Sequence, residues 1–144
     1  MNFIHKLSRK RVKIIAIPKW GPYLRQKWEL HFADHLNDKE KQSIYLNDEC
    51  GFLWHLFSYE KRPCLKENKA VQAFNNLHKT QCYLFYEDRE DAYILENASH
   101  IKTEDFHNEE DIYIVDKMFT WTYVETHEKG WFGPYFCNKN EHKI

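Results

Sequence analysis

Three ionisable side chains stand close together near the carboxyl end of the chain: Glu125, His127 and Glu128, within the segment "MFTWTYVETHEKGWFGPYF". A histidine next to a carboxylate can act as a general base, because the carboxylate orients the imidazole and stabilises its protonated form. This pattern makes His127 a candidate catalytic residue, with Glu125 or Glu128 as its partner, in a hydrolase-like or proton-transfer enzyme.

The same segment also has a purely structural interpretation. Alternate residues of a β-strand face opposite sides of the sheet, and the odd positions from 119 to 127 are Phe, Trp, Tyr, Glu and His. The three rings would then pack in the core, whereas Glu125, His127 and Glu128 would mark the solvent-exposed end of the strand. The threonines between them would lie on a β-sheet surface. The absence of a G-x-S-x-G nucleophile motif favours this interpretation over an enzyme.

His55 is a further candidate, within the apolar run "FLWHLFSY" at 52–59. That run is typical of a central strand covered on both faces, with a buried helix segment as the alternative. If it is a strand, His55 could face His127 as an acid-base partner or as a second metal ligand. Alternatively, His55 is a buried histidine with a local hydrogen-bond partner. Because the sequence contains no H-E-x-x-H motif and no closely spaced Cys/His pairs, we expect neither a metal site nor a cofactor.

Aromatic residues suggest a different kind of site. Exposed Trp and Tyr side chains are typical anchors of protein–protein interfaces. A surface that contacts a partner protein would be built from Trp20, Tyr23, Trp131, Phe132 and Tyr135. For Trp20 there is an alternative, in which its ring packs back onto the first turn of the following helix.

Composition limits the possible classes of protein. The chain of 144 residues has a low mean hydropathy of −0.79, but its 17% aromatic content supplies large buried areas, so we expect one globular domain over residues 1–144. A net charge of −1 gives no general attraction to nucleic acid. No apolar run resembles a signal peptide or a membrane span. The four scattered cysteines are expected to be free thiols in a cytoplasmic protein.

The first half of the chain reads mainly as helix. Apolar residues recur every fourth position between Pro22 and Leu36, which predicts an amphipathic helix. Asn37 and Glu40 form a capping-box pattern that predicts the start of the next helix. Pro63 is expected to open a further helix, with a short helix before the strand "VKIIAI" at 12–17.

The second half reads as strands. The runs "CYLFY", "AYIL", "IYIV" and "FTWTYVET" are rich in β-branched or aromatic residues and are joined by short polar turns, which favours antiparallel pairing. "WFGPYF" would form a final edge segment. The fold class is therefore α+β: a mainly antiparallel sheet of about five to six strands, packed against helices from the first half.

Two charged segments lie far apart in the sequence: the basic "HKLSRKRVK" at 5–13 and the acidic "TEDFHNEED" at 103–111. Each is typical of a solvated surface. The basic segment could also contact an anionic partner, or the two segments could attract each other within one chain or between two copies.

Several segments together resemble an uncharacterised family of small bacterial proteins, found mainly in Bacillus-type genomes. They include "WGPYLRQKW", "LWHLFSYEKRPCL" and "LENAS", and the most specific is W-T-Y-V-x-T-H-E followed by G-P-Y-F. The resemblance spans nearly the whole chain. It implies a domain of unknown function, with no activity, cofactor or partner attached.

The sequence therefore favours a small cytoplasmic protein that binds another protein without catalysis. An immunity-type protein that blocks a partner toxin would be one form of such a module. The alternative is an enzyme centred on His127, and exposed strand edges make a homodimer conceivable.

Overall fold

A computed structural model describes residues 2–46 and 51–140 of the chain. The helices in that part are α1 (Phe3–Arg9), α2 (Gly21–Phe32), α3 (Asp38–Ser43), α4 (His55–Ser58) and α5 (Glu67–Asn76), with a 3₁₀ helix at Thr103–Phe106. The strands are β1 (Lys13–Ala16), β2 (Leu65–Lys66), β3 (Gln81–Tyr86), β4 (Ala92–Glu96), β5 (Ile112–Asp116), β6 (Trp121–Glu125) and β7 (Tyr135–Asn138).

All seven strands form one antiparallel sheet in the order β1-β4-β3-β5-β6-β7-β2. Its centre comes from the second half of the chain and most helices come from the first, so the predicted α+β class is confirmed. The sheet has seven strands and not the predicted five to six, and the two-residue β2, which pairs with β7, is one that the sequence did not predict. The "WFGPYF" segment therefore does not end in an edge strand.

Helices cover both faces of the sheet. On one face, α2 and the segment containing α4 pack against side chains such as Tyr113, Val124 and Tyr135. On the other face, α1, α5 and the 3₁₀ helix pack against side chains such as Leu84 and Tyr123. The large aromatic side chains supply much of both cores, as the composition predicts.

The helix signals of α2 and α3 are confirmed, whereas the helix expected to open at Pro63 begins only at Glu67, after β2. The apolar stripe of α2 and the residues after it is buried, from Leu24 to Leu36. Asn37 and Glu40 form a complete capping box at the start of α3, with each side chain accepting a hydrogen bond from the other residue's backbone N–H.

The prediction of a strand at 52–59 is wrong. This run is a turn followed by the short helix α4, in which Leu56 and Phe57 are fully buried against the sheet. The apolar content was detected correctly, but a short run that is apolar on all sides does not distinguish a strand from a buried helix. His55 consequently lies on a helix and not on a strand opposite His127.

The predicted alternation is correct within β6 but not at Phe119, which precedes the strand with a φ of +55° and packs in the core on the opposite face of the sheet. The predicted exit to solvent is wrong. Trp121 and Tyr123 pack against the α5 face. Glu125, which was expected to meet water, is only 3% exposed, and Thr122 and Thr126 are fully buried. Instead of lining a surface, the Thr122 hydroxyl accepts a hydrogen bond from the indole of Trp28 at 3.0 Å.

The two charged segments contact each other within the chain. The ammonium of Lys10 lies 2.8 Å from the buried carboxylate of Asp105, and Lys6 donates to the backbone carbonyl of Glu104. Much of the basic and acidic character of these segments is therefore used to join α1 to the 3₁₀ helix.

Cys64, Cys82 and Cys137 are free thiols, as predicted, and Cys50 lies outside the described residues. Burial raises the pKa of Cys64 and of Cys82 to about 12, which keeps both thiols protonated. Within the described part of the chain, no helix has both the length and the apolar character needed to cross a bilayer.

Candidate site at the β6–β7 end of the sheet

His127 has a carboxylate partner, but it is not one of the two glutamates predicted from the sequence. Its Nδ1 lies 3.0 Å from Oδ1 and 2.9 Å from Oδ2 of Asp111, and its backbone N–H also donates to Oδ1 at 3.2 Å. Asp111 precedes β5, whereas His127 follows β6. These two strands are neighbours, so their adjacent ends bring the two residues together.

Besides the imidazole and the backbone of His127, Asp111 accepts a hydrogen bond from the side chain of Trp54. The indole N–H of Trp54 donates to its Oδ1 at 3.1 Å, and the backbone N–H of Trp54 donates to the hydroxyl of Tyr113 at 3.0 Å. That hydroxyl in turn donates to Glu87, whose carboxylate also accepts from the backbone N–H of Leu53. The segment before α4 is therefore fixed to the end of the sheet by a buried polar network.

Three groups of this network have shifted pKa values, and burial raises that of Tyr113 well above its usual range. The hydrogen bond and the negative charge of Asp111 raise the pKa of His127 above its usual value, although partial burial opposes this. Burial raises the pKa of Glu87 to about 7, with hydrogen bonds from Tyr113 and Leu53 opposing. His127 therefore favours its protonated form, and Glu87 lies close to half-protonated at neutral pH.

The two predicted glutamates behave differently. The buried carboxylate of Glu125 accepts from Tyr123 at 2.6 Å and lies 2.7 Å from the ammonium of Lys129, so it does not partner His127. Glu128 does face the imidazole, with its Oε1 at 3.4 Å from Nε2 of His127. His127 thus lies between Asp111 on one side and Glu128 on the other.

His55 and His127 contact the same two rings without being paired to each other. Phe52 and Trp54 stack at 5.2 Å, and both imidazoles lie 4.8–6.0 Å from them. Nδ1 of His55 donates to the backbone carbonyl of Ile44, 3.1 Å away. Burial lowers the pKa of His55, which favours the neutral imidazole.

A surface hollow of about 260 Å³ opens beside this cluster. Its lining is mostly aromatic and contains one carboxylate: Phe52, Trp54, His55, Ser58, Tyr59, Glu128 and Phe132. Other surface hollows have similar volumes, but two of them are lined mainly by charged side chains and a third by aliphatic and amide side chains with one ring. The lining, and not the size, therefore distinguishes the aromatic hollow.

The turn after β6 presents two aromatic rings next to the hollow. The backbone N–H groups of Trp131 and Phe132 both donate to the carbonyl of Glu128, at 3.0 and 2.8 Å. Gly133 has a φ of +86°, and a Cβ there would lie 3.1 Å from a methyl group of Thr126, so the close turn requires glycine. Hydrogen bonds therefore fix the backbone of the turn that carries the two rings.

The predicted contact residues divide into two exposed pairs and one buried ring. Trp131 is 86% exposed and Phe132 42%, whereas Trp20 and Tyr23 are 44% and 52% exposed and contact each other edge-to-face. Tyr135 is only 2% exposed and packs on Phe57 in the core, so it cannot belong to an exposed surface. It was misassigned because its neighbours in the sequence lie on the turn, whereas Tyr135 itself begins β7.

The sequence reasoning missed Asp111, Trp54 and Tyr59. Asp111 is the acidic residue directly before β5. In an antiparallel pair the start of one strand lies next to the end of its neighbour, so a residue just before β5 lies close to the end of β6. This signal was available once β5 and β6 were predicted as neighbours. Trp54 and Tyr59 were hidden by the incorrect strand prediction for 52–59.

In the described ranges 2–46 and 51–140, no three His, Cys, Asp or Glu side chains are arranged to hold a metal ion. The family model of a domain of unknown function (DUF4275) matches residues 1–136. The chain belongs to this family. Comparisons of this DUF4275 member with curated proteins and with solved structures find no match.

Proposed function

We propose that this protein is a non-catalytic protein-binding module, whose partner docks on an aromatic rim around the hollow. The aromatic rim consists of four exposed side chains: Tyr45, Tyr59, Trp131 and Phe132. The observation that carries the proposal is the 86% exposure of Trp131, which has the largest exposed fraction among the described large apolar residues.

The aromatic rim is concentrated in one region of the surface. Tyr45 and Tyr59 lie 6.4 Å apart and both contact the ring of His55, while Phe132 stacks on Trp54 at 6.0 Å. Isolated exposed apolar residues are normal in a folded protein, but a group of large rings around a hollow is typical of an interaction site. Trp and Tyr are also the residues most enriched among interface hot spots.

The rim is prepared for binding, because its parts are held in place before a partner arrives. The Asp111 hydrogen bond fixes Trp54, on which Phe132 stacks, and backbone hydrogen bonds to Glu128 hold the turn that carries Trp131 and Phe132. Fewer side chains then lose conformational freedom when the complex forms, which favours affinity.

The proposal extends to the setting of the protein. We regard residues 1–144 as one domain of a cytoplasmic bacterial protein, an assignment supported by three free thiols and by the resemblance carried by the W-T-Y-V-x-T-H-E and G-P-Y-F segments. An immunity-type protein is one form of this module. A homodimer is another, with a second copy of the chain as the partner.

Affinity capture from native lysate tests the proposal when it is done with two matched variants. Trp131→Ser removes the most exposed ring of the rim, and Trp20→Ser removes an exposed ring of the second aromatic pair. We expect Trp131→Ser to weaken retention of the partner by at least about tenfold, as at an interface hot spot, and Trp20→Ser to leave it unchanged. Equal retention by both variants would refute the aromatic rim as the docking site. Sedimentation analysis of the purified protein distinguishes a second copy from a different partner.

Proton transfer by His127 is a second candidate function, and the Asp111–His127 geometry favours it. A carboxylate on Nδ1 leaves Nε2 to act on a substrate in the hollow, once Glu128 is displaced from it. A panel of chromogenic esters and amides tests this function. Turnover that disappears in both His127→Gln and Asp111→Asn would support it, and unchanged turnover in either would reject it.

A further inference from the structure

The lining of the aromatic hollow suggests the chemistry of what it accepts. The buried ring of Trp54 stacks on Phe52 and Phe132 at the base of the hollow, whereas Tyr59 and Phe132, 48% and 42% exposed, present ring surface to whatever enters it. The faces of aromatic rings carry partial negative charge and attract cations. An aromatic lining alone would suit an apolar ligand as well as a cationic one. The charge of the site distinguishes these two classes of ligand.

The charge of the hollow is negative. Glu128 is the one carboxylate that lines it, and among the described lining residues there is neither Lys nor Arg. The carboxylate lines the hollow together with the rings of Tyr59 and Phe132, so it lies next to the aromatic walls. Burial lowers the pKa of His55, so this imidazole adds no positive charge at neutral pH.

Nearby cations are directed elsewhere. The ammonium of Lys129 lies 2.7 Å from Glu125 and also donates to the carbonyl of His107 at 2.9 Å. The ammonium of Lys66 pairs with Glu60, and Arg62 donates to the carbonyl of Phe32. None of these groups neutralises Glu128.

His127 is the group that partly balances Glu128, since its Nε2 lies 3.4 Å from the carboxylate. However, Asp111 contacts the same imidazole more closely, at 2.9 Å. The three side chains together carry one negative charge when the imidazole is protonated, and two when it is neutral. A net negative charge therefore remains next to the aromatic walls in either protonation state.

We propose that the aromatic hollow binds an arginine side chain from a basic segment of the partner protein. Arginine fits this combination better than lysine does, because its planar guanidinium stacks on aromatic rings and can pair with a carboxylate through two N–H groups. In the complex, the guanidinium lies against the exposed rings of Tyr59 and Phe132 and donates to Glu128. This assignment rests on the proposed function, because the arginine is supplied by the docked protein.

The test uses a matched pair of small probes, N-acetyl-arginine amide and N-acetyl-citrulline amide, which have the same shape but differ in charge. Binding is followed by NMR through the indole N–H signals of the intact protein. We expect the arginine probe to shift the signals of Trp54, which lines the hollow, and of Trp131, but not that of Trp28, which lies in the core away from the hollow. We also expect the arginine probe to bind at least about fivefold more tightly than the citrulline probe. Equal affinity for the two probes, or no saturable shift of Trp54, would overturn the proposal.

Variants give an independent check. Glu128→Gln preserves shape and should reduce the affinity for the arginine probe to that for the citrulline probe, whereas Glu96→Gln, at the opposite end of the sheet, should have no effect. Tyr59→Leu should weaken binding, and Tyr23→Leu, at a similarly exposed ring outside the hollow, should not. Undiminished binding of the arginine probe by Glu128→Gln would contradict the assignment. If that happens while Trp131→Ser still loses the captured partner, the docking site stands and only its arginine specificity is refuted.

Discussion

The carboxylate of Asp111 contacts the imidazole of His127 through both of its oxygens, at 2.9 and 3.0 Å from Nδ1. This contact joins the start of β5 to the turn after β6, and the indole of Trp54 joins the segment before α4 to the same carboxylate. One side chain thus fixes three parts of the chain around the aromatic hollow. Asp111 is therefore the positioning residue of the candidate site.

Replacement of Asp111 by Asn should lower the pKa of His127, because the negative charge that stabilises the imidazolium is lost. The imidazole signals of His127 in a pH titration by NMR measure this directly. Glu96→Gln, which removes a charge far from the site, is the control and should leave the titration unchanged. A His127 pKa that is the same in Asp111→Asn and wild type would show that the contact does not exist in solution.

The sign of the pH effect on stability follows from the same shift. Because the folded pKa of His127 lies above its unfolded value, the ion pair stabilises the protein fully below the unfolded pKa and is lost as pH rises through the folded pKa. His127→Gln should therefore lower the free energy of unfolding more at pH 5 than at pH 8. Urea unfolding at the two pH values gives the comparison, and a larger loss at the higher pH would contradict this sign.

The sequence predicted the sheet and its faces well, because the evidence for them is local. Alternation in β6 and the apolar stripe of α2 each depend on residues close together in the chain. The site depends instead on which strand ends become neighbours, and Asp111 and His127 meet only through the β5–β6 pairing. Closeness in the sequence suggested Glu125 as the partner of His127. In the structure, the carboxylate of Glu125 instead pairs with the ammonium of Lys129.

The run at 52–59 shows a second limit of sequence reasoning. Its side chains are apolar on all sides, so periodicity gave no decision between strand and helix. The helical outcome depends on tertiary contacts, since the backbone N–H groups of Leu53 and Trp54 donate to Glu87 and Tyr113 and not to a neighbouring strand. No local sequence pattern predicts such contacts.

Glu87 should make the protein less stable as pH rises through the weakly acidic range. Burial raises its folded pKa from 4.5 to about 7, so the folded state keeps a proton that the unfolded state loses between those values. Glu87→Gln removes this titration and keeps an acceptor for Leu53 and Tyr113. We expect the free energy of unfolding of the variant, relative to wild type, to rise by about 3 kcal/mol between pH 4.5 and pH 8.

Unfolding curves in urea at several pH values measure that difference, with Glu96→Gln as the control that should show no such trend. A difference between Glu87→Gln and wild type that stays constant with pH would mean that Glu87 titrates normally in the folded protein.

The Glu125–Lys129 pair should be asymmetric in its effect on stability. Lys129→Met leaves the buried carboxylate of Glu125 without its cation and should cost about 2 kcal/mol, less than for a fully buried pair because the lysine is partly exposed. Glu125→Gln should cost less, since the amide can still accept from Tyr123. In the Glu125→Gln background, Lys129→Met should then have little further effect. Additive losses in thermal or urea unfolding of the double variant would show that the two side chains do not interact.

The central claim is that the rim around Trp131 is where another protein docks, and site-specific photo-cross-linking in the native cell tests it most directly. A photoreactive p-benzoylphenylalanine replaces Trp131 in one variant and Met118 in the other; Met118 is 72% exposed in the turn between β5 and β6, at the opposite end of β6. We predict a discrete cross-linked complex from position 131 and none from position 118. The same cross-linked products from both positions, or none from position 131, would contradict the claim.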